Sequence, residues 1–478
     1  MLALAIACTG PVKDHVPNRP DSQDSHLQES RPQDSDADTD DSGEPVVDGV
    51  RPSWDPDDFL AVFDVGPGQD YETPGEVPWE GIGAGTLIRI HGSTQHYRDK
   101  WVIDVPGTEE EPIVILGVPN EDGVGPVIQG KEATTRVELD YWNEDRSVIK
   151  IGGSSNPGRG ASWIWVQGLE IRGGFAGYTF TDDRNLEQGY ADNAAAIHIE
   201  AGSNIHIVGN VLTDSGNGLF VSSESADVLI RGNHIYGNGN VDSAYEHNSY
   251  TEADGIVFEY NWYERLREGA LGNNLKDRSA GTVVRYNWIK DGNRQLDLVD
   301  TDAFQEREDY GDTWVYGNIL IESEDQGNSQ IVHFGGDSED TTRYRNGTLY
   351  FWNNTVHSKR AGNTTLVRLS GEGESMEAVN NVLWTEGPLG IRNGDGAVRL
   401  EGNWISEWVD GWEGSGTVTD DGNGVSEAAP PLGEDYVPTA AIPTAIPWSV
   451  EGHPIEWQYR PQADRQARID TEDAGALN

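Results

Sequence analysis

The sequence predicts an all-β chain: a right-handed, single-stranded parallel β-helix behind a disordered acidic N-terminal tether. Three observations carry this. Eight copies of one short pattern recur, each an apolar strand, a small or aromatic residue, an Asn and further apolar residues, centred on Asn210, Asn233, Asn261, Asn287, Asn318, Asn354, Asn381 and Asn403. Gly 58, Trp 16 and Tyr 17 accompany an absence of long stretches with helical apolar spacing, which suits many short strands joined by tight turns. The opening is rich in Asp, Ser, Pro and Gln and has too few apolar residues to offset the entropy of ordering it.

In chain order, Met1 to Cys8 resembles the end of a bacterial lipoprotein signal, with small residues before a Cys. Export follows, with the membrane met only through a lipid on Cys8, and a monomer is expected. Cys8 is the single cysteine, so no internal disulfide can form. Residues 9–55 read as the acidic linker, including Asp34-Ser35-Asp36-Ala37-Asp38-Thr39-Asp40-Asp41. Residues 56–428 read as the β-helix. Strands are expected at Leu87-Ile88-Arg89-Ile90, Ile113-Val114-Ile115-Leu116, Val127-Ile128-Gln129 and Ile164-Trp165-Val166-Gln167 before the repeat takes over. Its Asn residues lie 22 to 36 positions apart, a period that marks one solenoid coil per copy. Asn tolerates the left-handed turn between strands, and stacked coils ~4.8 Å apart let Asn amides form a ladder. Residues 429–478 change character and are expected to run back along the helix or cap its open end.

Formal net charge is −49. A surface so negative repels nucleic acid and anionic membranes and excludes both as partners. Most of the excess reads as solvation, but carboxylates also suit a hard cation, and Ca²⁺ is the candidate ion.

Pro78-Trp79, Gly85-Thr86-Leu87-Ile88-Arg89-Ile90, Gly107-Thr108, Pro112-Ile113-Val114-Ile115-Leu116-Gly117 and Pro126-Val127-Ile128-Gln129-Gly130 resemble the opening of a bacterial family of right-handed parallel β-helix proteins labelled polysaccharide-degrading. The run Gly269 to Ala280 and the run Gly292 to Asp300 carry the likeness through the middle. A polysaccharide ligand is what the resemblance implies. Fold and label do not by themselves define chemistry.

Aligning coils on the Asn residues brings four polar segments into register: Glu246-His247-Asn248-Ser249-Tyr250, Asn273-Asn274-Leu275-Lys276, Leu296-Asp297-Leu298-Val299-Asp300 and Gln330-Ile331-Val332-His333. Alternate side chains on a strand face outward, so these groups predict a polar strip along the solenoid. Acidic-polysaccharide lyases on this fold take the sugar C5 proton with Lys or Arg, and a Lys needs its charged form disfavoured to do so. Lys276 is the expected base, exposed on its coil, so that Lys276→Ala would leave stability nearly unchanged. Arg294, Arg278 and His247 are expected to neutralise charge or donate a proton. Tyr250, Asn273, Asn274, Asp297, Asp300 and His333 are expected to hold sugar, and Glu268 with Asp297 to hold Ca²⁺. The Lys-then-Arg order is similar to that of the alginate lyase and chondroitinase B family, whose metal-binding Glu pair before the Lys is not evident here. Two other readings stand beside the lyase. One is a hydrolase using Asp297, Asp300 or Asp302, which would need paired carboxylates at a set separation. The other is a non-catalytic glycan-binding adhesin. For Lys276 and Arg278 an ion-pair ladder with Asp277, Asp297 or Asp300 is the structural alternative.

Overall fold

The computed structural model describes residues 50–153, 160–325, 327–406, 408–409, 415–426, 428–461, 463–468 and 473–477. The signal-like run to Cys8 and the linker before residue 50 lie outside the described residues.

A typical coil makes three short strands separated by corners, although in two coils the first two faces run together as the long strands Ala195–Val208 and Asn217–Arg231. In one central coil the first face is Leu275–Asp277, the second Ala280–Arg285 and the third Trp288–Lys290. The next coil repeats them as Leu296–Leu298, Thr313–Tyr316 and Ile319–Glu322, paired in parallel with the strands beneath. Among the described residues the third face alone stacks eleven strands, from Val127–Gln129 to Gly424–Val425. The inside is a column of aliphatic and aromatic rungs. Ile207, Ile230, Phe258, Val284, Val315, Phe351, Ala378 and Leu400 lie in register on the second face and are wholly buried. Such a stack yields little to water and gives each coil a reason to sit on the last.

The eight Asn residues form one column at the corner between second and third faces, and Asn423 extends it. Asn261 is typical. Its backbone N–H and its Nδ2 both donate to Asn287 Oδ1, at 2.9 and 3.0 Å, while Nδ2 also reaches Ile230 O at 2.8 Å. Asn287 repeats the pattern onto Asn318, and Asn403 onto Asn423. The left-handed turn, however, is made by the residue before each Asn. Gly209, Gly232, Tyr260, Tyr286, Gly317, Asn353, Asn380 and Gly402 all have φ between 48° and 67°. The Asn is there because a turned corner strands buried amide and carbonyl groups: its side chain satisfies those of the coil before it and passes its remaining donor to the Asn of the coil after it.

At the N-terminal end Trp79 stacks on Trp101 with ring centres 4.7 Å apart. Residues 50–55, placed in the linker by composition, pack on the body: Val50 is buried, and Trp54 Nε1 donates to Gln167 Oε1 at 3.2 Å. At the other end, the segment after the last coil runs back along the outside. Ile446, Trp448, Val450, Ile455 and Trp457 cover an apolar stripe of Tyr260, Tyr286, Tyr316 and Trp352. A hairpin, Trp457–Arg460 with Asp464–Ala467, follows.

Candidate active site on the first face

On the first face Leu275 points inward and Lys276 outward, as strand alternation requires. The outward residues of successive coils align as Tyr250, Lys276, Asp297, His333 and Arg368. Five rungs at ~4.8 Å make a strip roughly 20 Å long.

Lys276 is the second of these rungs but is not open to solvent: its side chain keeps 9% of its accessible surface. Nζ lies 2.7 Å from Asp297 Oδ2 and 2.7 Å from Asp337 Oδ2. Arg278 takes the same Asp337, with Nη2 at 2.7 and 2.9 Å from its two oxygens, while Nε donates to Tyr250 Oη at 3.0 Å. Lys276 and Arg278 therefore converge on one carboxylate. That carboxylate, 32% exposed, arrives on the loop after strand Gln330–Phe334, and the two cations hold its pKa below the ordinary value against the opposing effect of burial. Asp300 builds this loop. Its carboxylate accepts from the Asp337 and Ser338 amides at 2.8 and 3.3 Å and from Ser338 Oγ at 2.5 Å, which leaves it little capacity for sugar.

Asp297 is the hub. Oδ2 accepts from Lys276 and, at 2.8 Å, from Asn273 Nδ2; Oδ1 lies 2.7 Å from His333 Nδ1 and 3.8 Å from an Arg294 nitrogen. Burial opposes its charge, but the His333 hydrogen bond and Lys276 prevail and hold its pKa far below the ordinary range. Arg294 is otherwise held by Gln330, at 3.0 Å. His247 lies behind the strip, 2% exposed, its Nδ1 accepting from the Asn273 amide at 2.9 Å. Burial, reinforced by Lys276, pushes its pKa down to about 3. It is thus a neutral imidazole near pH 7 with its proton on Nε2, able to donate a hydrogen bond but not to neutralise charge as a cation.

Asn274 does not belong to the site. It faces the inner corner, where Oδ1 accepts from Asn248 Nδ2 at 2.6 Å and Nδ2 donates to Lys290 O at 2.8 Å. Glu268 sits exposed on a loop lining a separate cleft of about 390 Å³ with Arg265, Arg267 and Asp291. The expected Ca²⁺ pair therefore does not fit. Asp297 has an ammonium and an amide on one oxygen and an imidazole on the other, and a hard cation would have to displace them. Among the described residues an acidic group that could hold a cation lies elsewhere, at Glu144, Asp182 and Asp183. Of that group, Asp182 is already hydrogen-bonded to Arg184 and Gln188, and Glu144 to Thr135. Asp302 is mostly exposed and pairs with Arg343 at 3.3 Å.

Asp337, Arg368 and Ser370 are additions to the site read from sequence. Arg368 and Ser370 could have been found, since Arg368 stands in register with His333 on the next strand and Ser370 follows two residues later, just past the end of that strand.

Fold and coil arrangement define a right-handed parallel β-helix protein, and residues 177–305 match the family described as the right handed beta helix region. No curated protein matches the chain. Among solved structures, alginate lyase from Paenibacillus sp. str. FPU-7 is 14% identical, with 66% of this chain and 92% of that one covered and a TM-score of 0.45. GH136 lacto-N-biosidase from Eubacterium ramulus is 12% identical, covering 76% and 68% at a TM-score of 0.45. A rhamnogalacturonan lyase is 13% identical, covering 87% and 96% at 0.40.

Proposed function

We propose that this chain is an exported enzyme that degrades an acidic, uronate-containing polysaccharide by β-elimination on the first face. The observation that carries the reading is the convergence of Lys276 and Arg278 on the carboxylate of Asp337. Two cations aimed at one carboxylate, on an outward strip long enough for several sugars, make a site that a uronate carboxylate would fit once Asp337 withdraws. Neutralising that carboxylate acidifies the neighbouring C5–H. As Asp337 withdraws, Lys276 first gives up its ammonium proton to solvent; the free amine then takes the C5 proton, the C4–oxygen bond breaks to leave a C4=C5 double bond, and the proton taken from C5 passes on to the departing C4 oxygen. Arg278 holds the carboxylate, and Arg294 adds positive charge one coil on. His247 donates a hydrogen bond from Nε2, Tyr250 and Asn273 flank the sugar, and Asp297 fixes the lysine. Geometry precedes reactivity here, because Lys276 cannot approach a sugar proton while Asp337 covers it.

The test is to incubate the protein with a panel of uronate polysaccharides and follow the ultraviolet absorbance of the unsaturated product. Absorbance that rises with chain cleavage, and is lost in Arg278→Ala, supports the reading. New reducing ends without absorbance would assign a hydrolase instead, and no cleavage of any acidic glycan would leave a binding protein.

A further inference from the structure

Two side chains on the strip, His333 and Ser370, have no part in elimination, and they share Asp297 with it. Ser370 follows the strand Thr364–Leu369, and its Oγ lies 2.8 Å from His333 Nε2. His333 Nδ1 lies 2.7 Å from Asp297 Oδ1. We propose that Ser370, His333 and Asp297 form a second catalytic unit that hydrolyses esters carried by an acidic polysaccharide through an acyl-serine intermediate.

The three residues come from three successive coils, and the parallel register places them together: Asp297 pairs with His333, and His333 with Arg368, two residues before Ser370. A carboxylate at Nδ1 fixes the ring proton there and leaves the Nε2 lone pair facing Oγ, the tautomer a general base needs. Burial keeps His333 in its neutral form despite Asp297. Asp297 is in turn held from its other oxygen by Asn273 and Lys276, so the imidazole cannot swing. Asp297 acts only through His333 and is a positioning residue.

Ser370 is partly exposed, whereas His333 keeps 4% of its side-chain surface, so a ligand would meet the hydroxyl first. Beside it, Arg368 is exposed and has no ion pair among the described residues. In a chain of net charge −49, an unpaired guanidinium on this strip is a contact for an anionic sugar. Arg294 and Arg368 both bear electrostatically on His333, so the cationic ground extends across the unit. The hydroxyl is also within 2.7 Å of Gly336 O and 3.1 Å of the Gly336 amide. Gly336 adjoins Asp337, so the loop movement that uncovers Lys276 also releases Ser370 from its second acceptor.

In the reaction, Oγ bonds to the ester carbonyl carbon while its proton passes to Nε2. The bond from that carbon to the alkoxy oxygen breaks, and His333 returns the proton to the leaving alcohol. Water then attacks the acyl-serine with the same proton relay, releasing the carboxylic acid and restoring Ser370. An O-acetyl group on a sugar hydroxyl and a methyl ester of the uronate share this chemistry.

The test is to treat the whole chain with a fluorophosphonate and locate the adduct by peptide mass spectrometry. Acetate release from an acetylated polyuronate and methanol release from a methyl-esterified one are measured in parallel. We expect one adduct, on Ser370, formed at least about 100-fold more slowly in His333→Ala. Release of acetate or of methanol should fall by a similar factor in Ser370→Ala, and which one falls identifies the ester. The readouts are independent of unsaturated product, so this unit and the elimination can fail separately. A folded wild-type chain without adduct on Ser370, or ester cleavage unchanged in Ser370→Ala, overturns the proposal.

Discussion

Replacing Lys276 by alanine removes one partner of a buried ion pair and leaves the other in place. The pair is with Asp297, whose side chain is 3% exposed, and the same ammonium also serves Asp337. Breaking a buried pair from one side costs ~3–5 kcal/mol, because the remaining charge stays desolvated. Asp297 keeps His333 and Asn273, and Asp337 is one-third exposed and keeps Arg278, so the cost belongs at the lower end, about 3 kcal/mol. With a urea dependence of roughly 3 kcal/mol per M, the unfolding midpoint drops by about 1 M. This reverses the expectation, drawn from a lysine assumed to be exposed, that stability would not change. The assay is urea denaturation followed by Trp fluorescence, with Lys276→Met, Asp297→Asn and their double variant closing a thermodynamic cycle. The double variant should recover part of the loss, since it buries no unpaired charge. A Lys276→Ala midpoint within about 0.2 M of the parent would mean that water reaches Asp297 and that the site is more open than its geometry indicates.

Three further outcomes follow from the same structure. Asn287→Ala strands the Asn261 amide, one Asn261 Nδ2 proton and Phe258 O, and should cost about 3–6 kcal/mol, whereas Asn423→Ala, where water can substitute, should cost about 1; urea midpoints compare them. Asp337→Ala uncovers the Lys276–Arg278 pair, so the KM for an acidic polysaccharide should fall severalfold, and steady-state kinetics with the ultraviolet product checks it. Glu322, buried against Gln295 and Arg360, is pushed up to about 8 by burial, which outweighs both partners. Its folded form therefore keeps a proton that the unfolded chain gives up above the ordinary carboxylate pKa. Stability falls as pH rises from about 4.5 to about 8, and Glu322→Gln should flatten that slope in midpoints measured across the range.

The coil repeat was legible because a solenoid poses the same local problem at every turn, so Asn210 to Asn403 recur at nearly the same place. What the Asn does was only half legible. Both the turn and the ladder are chemistry that Asn can supply, and only φ values show that Gly209 or Tyr260 makes the turn while the Asn satisfies stranded backbone groups. Lys276, Asp297 and His333 were recoverable from register, since each stands at the same outward position of a short strand. The adjacent pair Asn273 and Asn274 was not separable by type. Alternation sends one to Asp297 and the other to the inner corner, and a shift of one residue would exchange them. Asp337 lies 61 positions from Lys276, on a loop outside the repeat, where no periodicity points to it. The burial of Lys276 was hidden for the same reason, because the covering group comes from that loop.

The returning C-terminal segment gives the molecule two classes of contact with very different separations in sequence. Coils touch their neighbours a few tens of residues away, but Tyr286 Oη donates to Pro454 O, 168 positions on, and accepts from the Glu456 amide, 170 on. Low-separation contacts form quickly, and closing a long loop comes late. During synthesis the coils can therefore zip up one after another while Tyr260, Tyr286, Tyr316 and Trp352 wait uncovered on the outside until residues 446–457 emerge. A ribosome that stalls before that point would hold a nearly finished solenoid with a sticky aromatic seam, and that nascent form is the one a chaperone would need to shield.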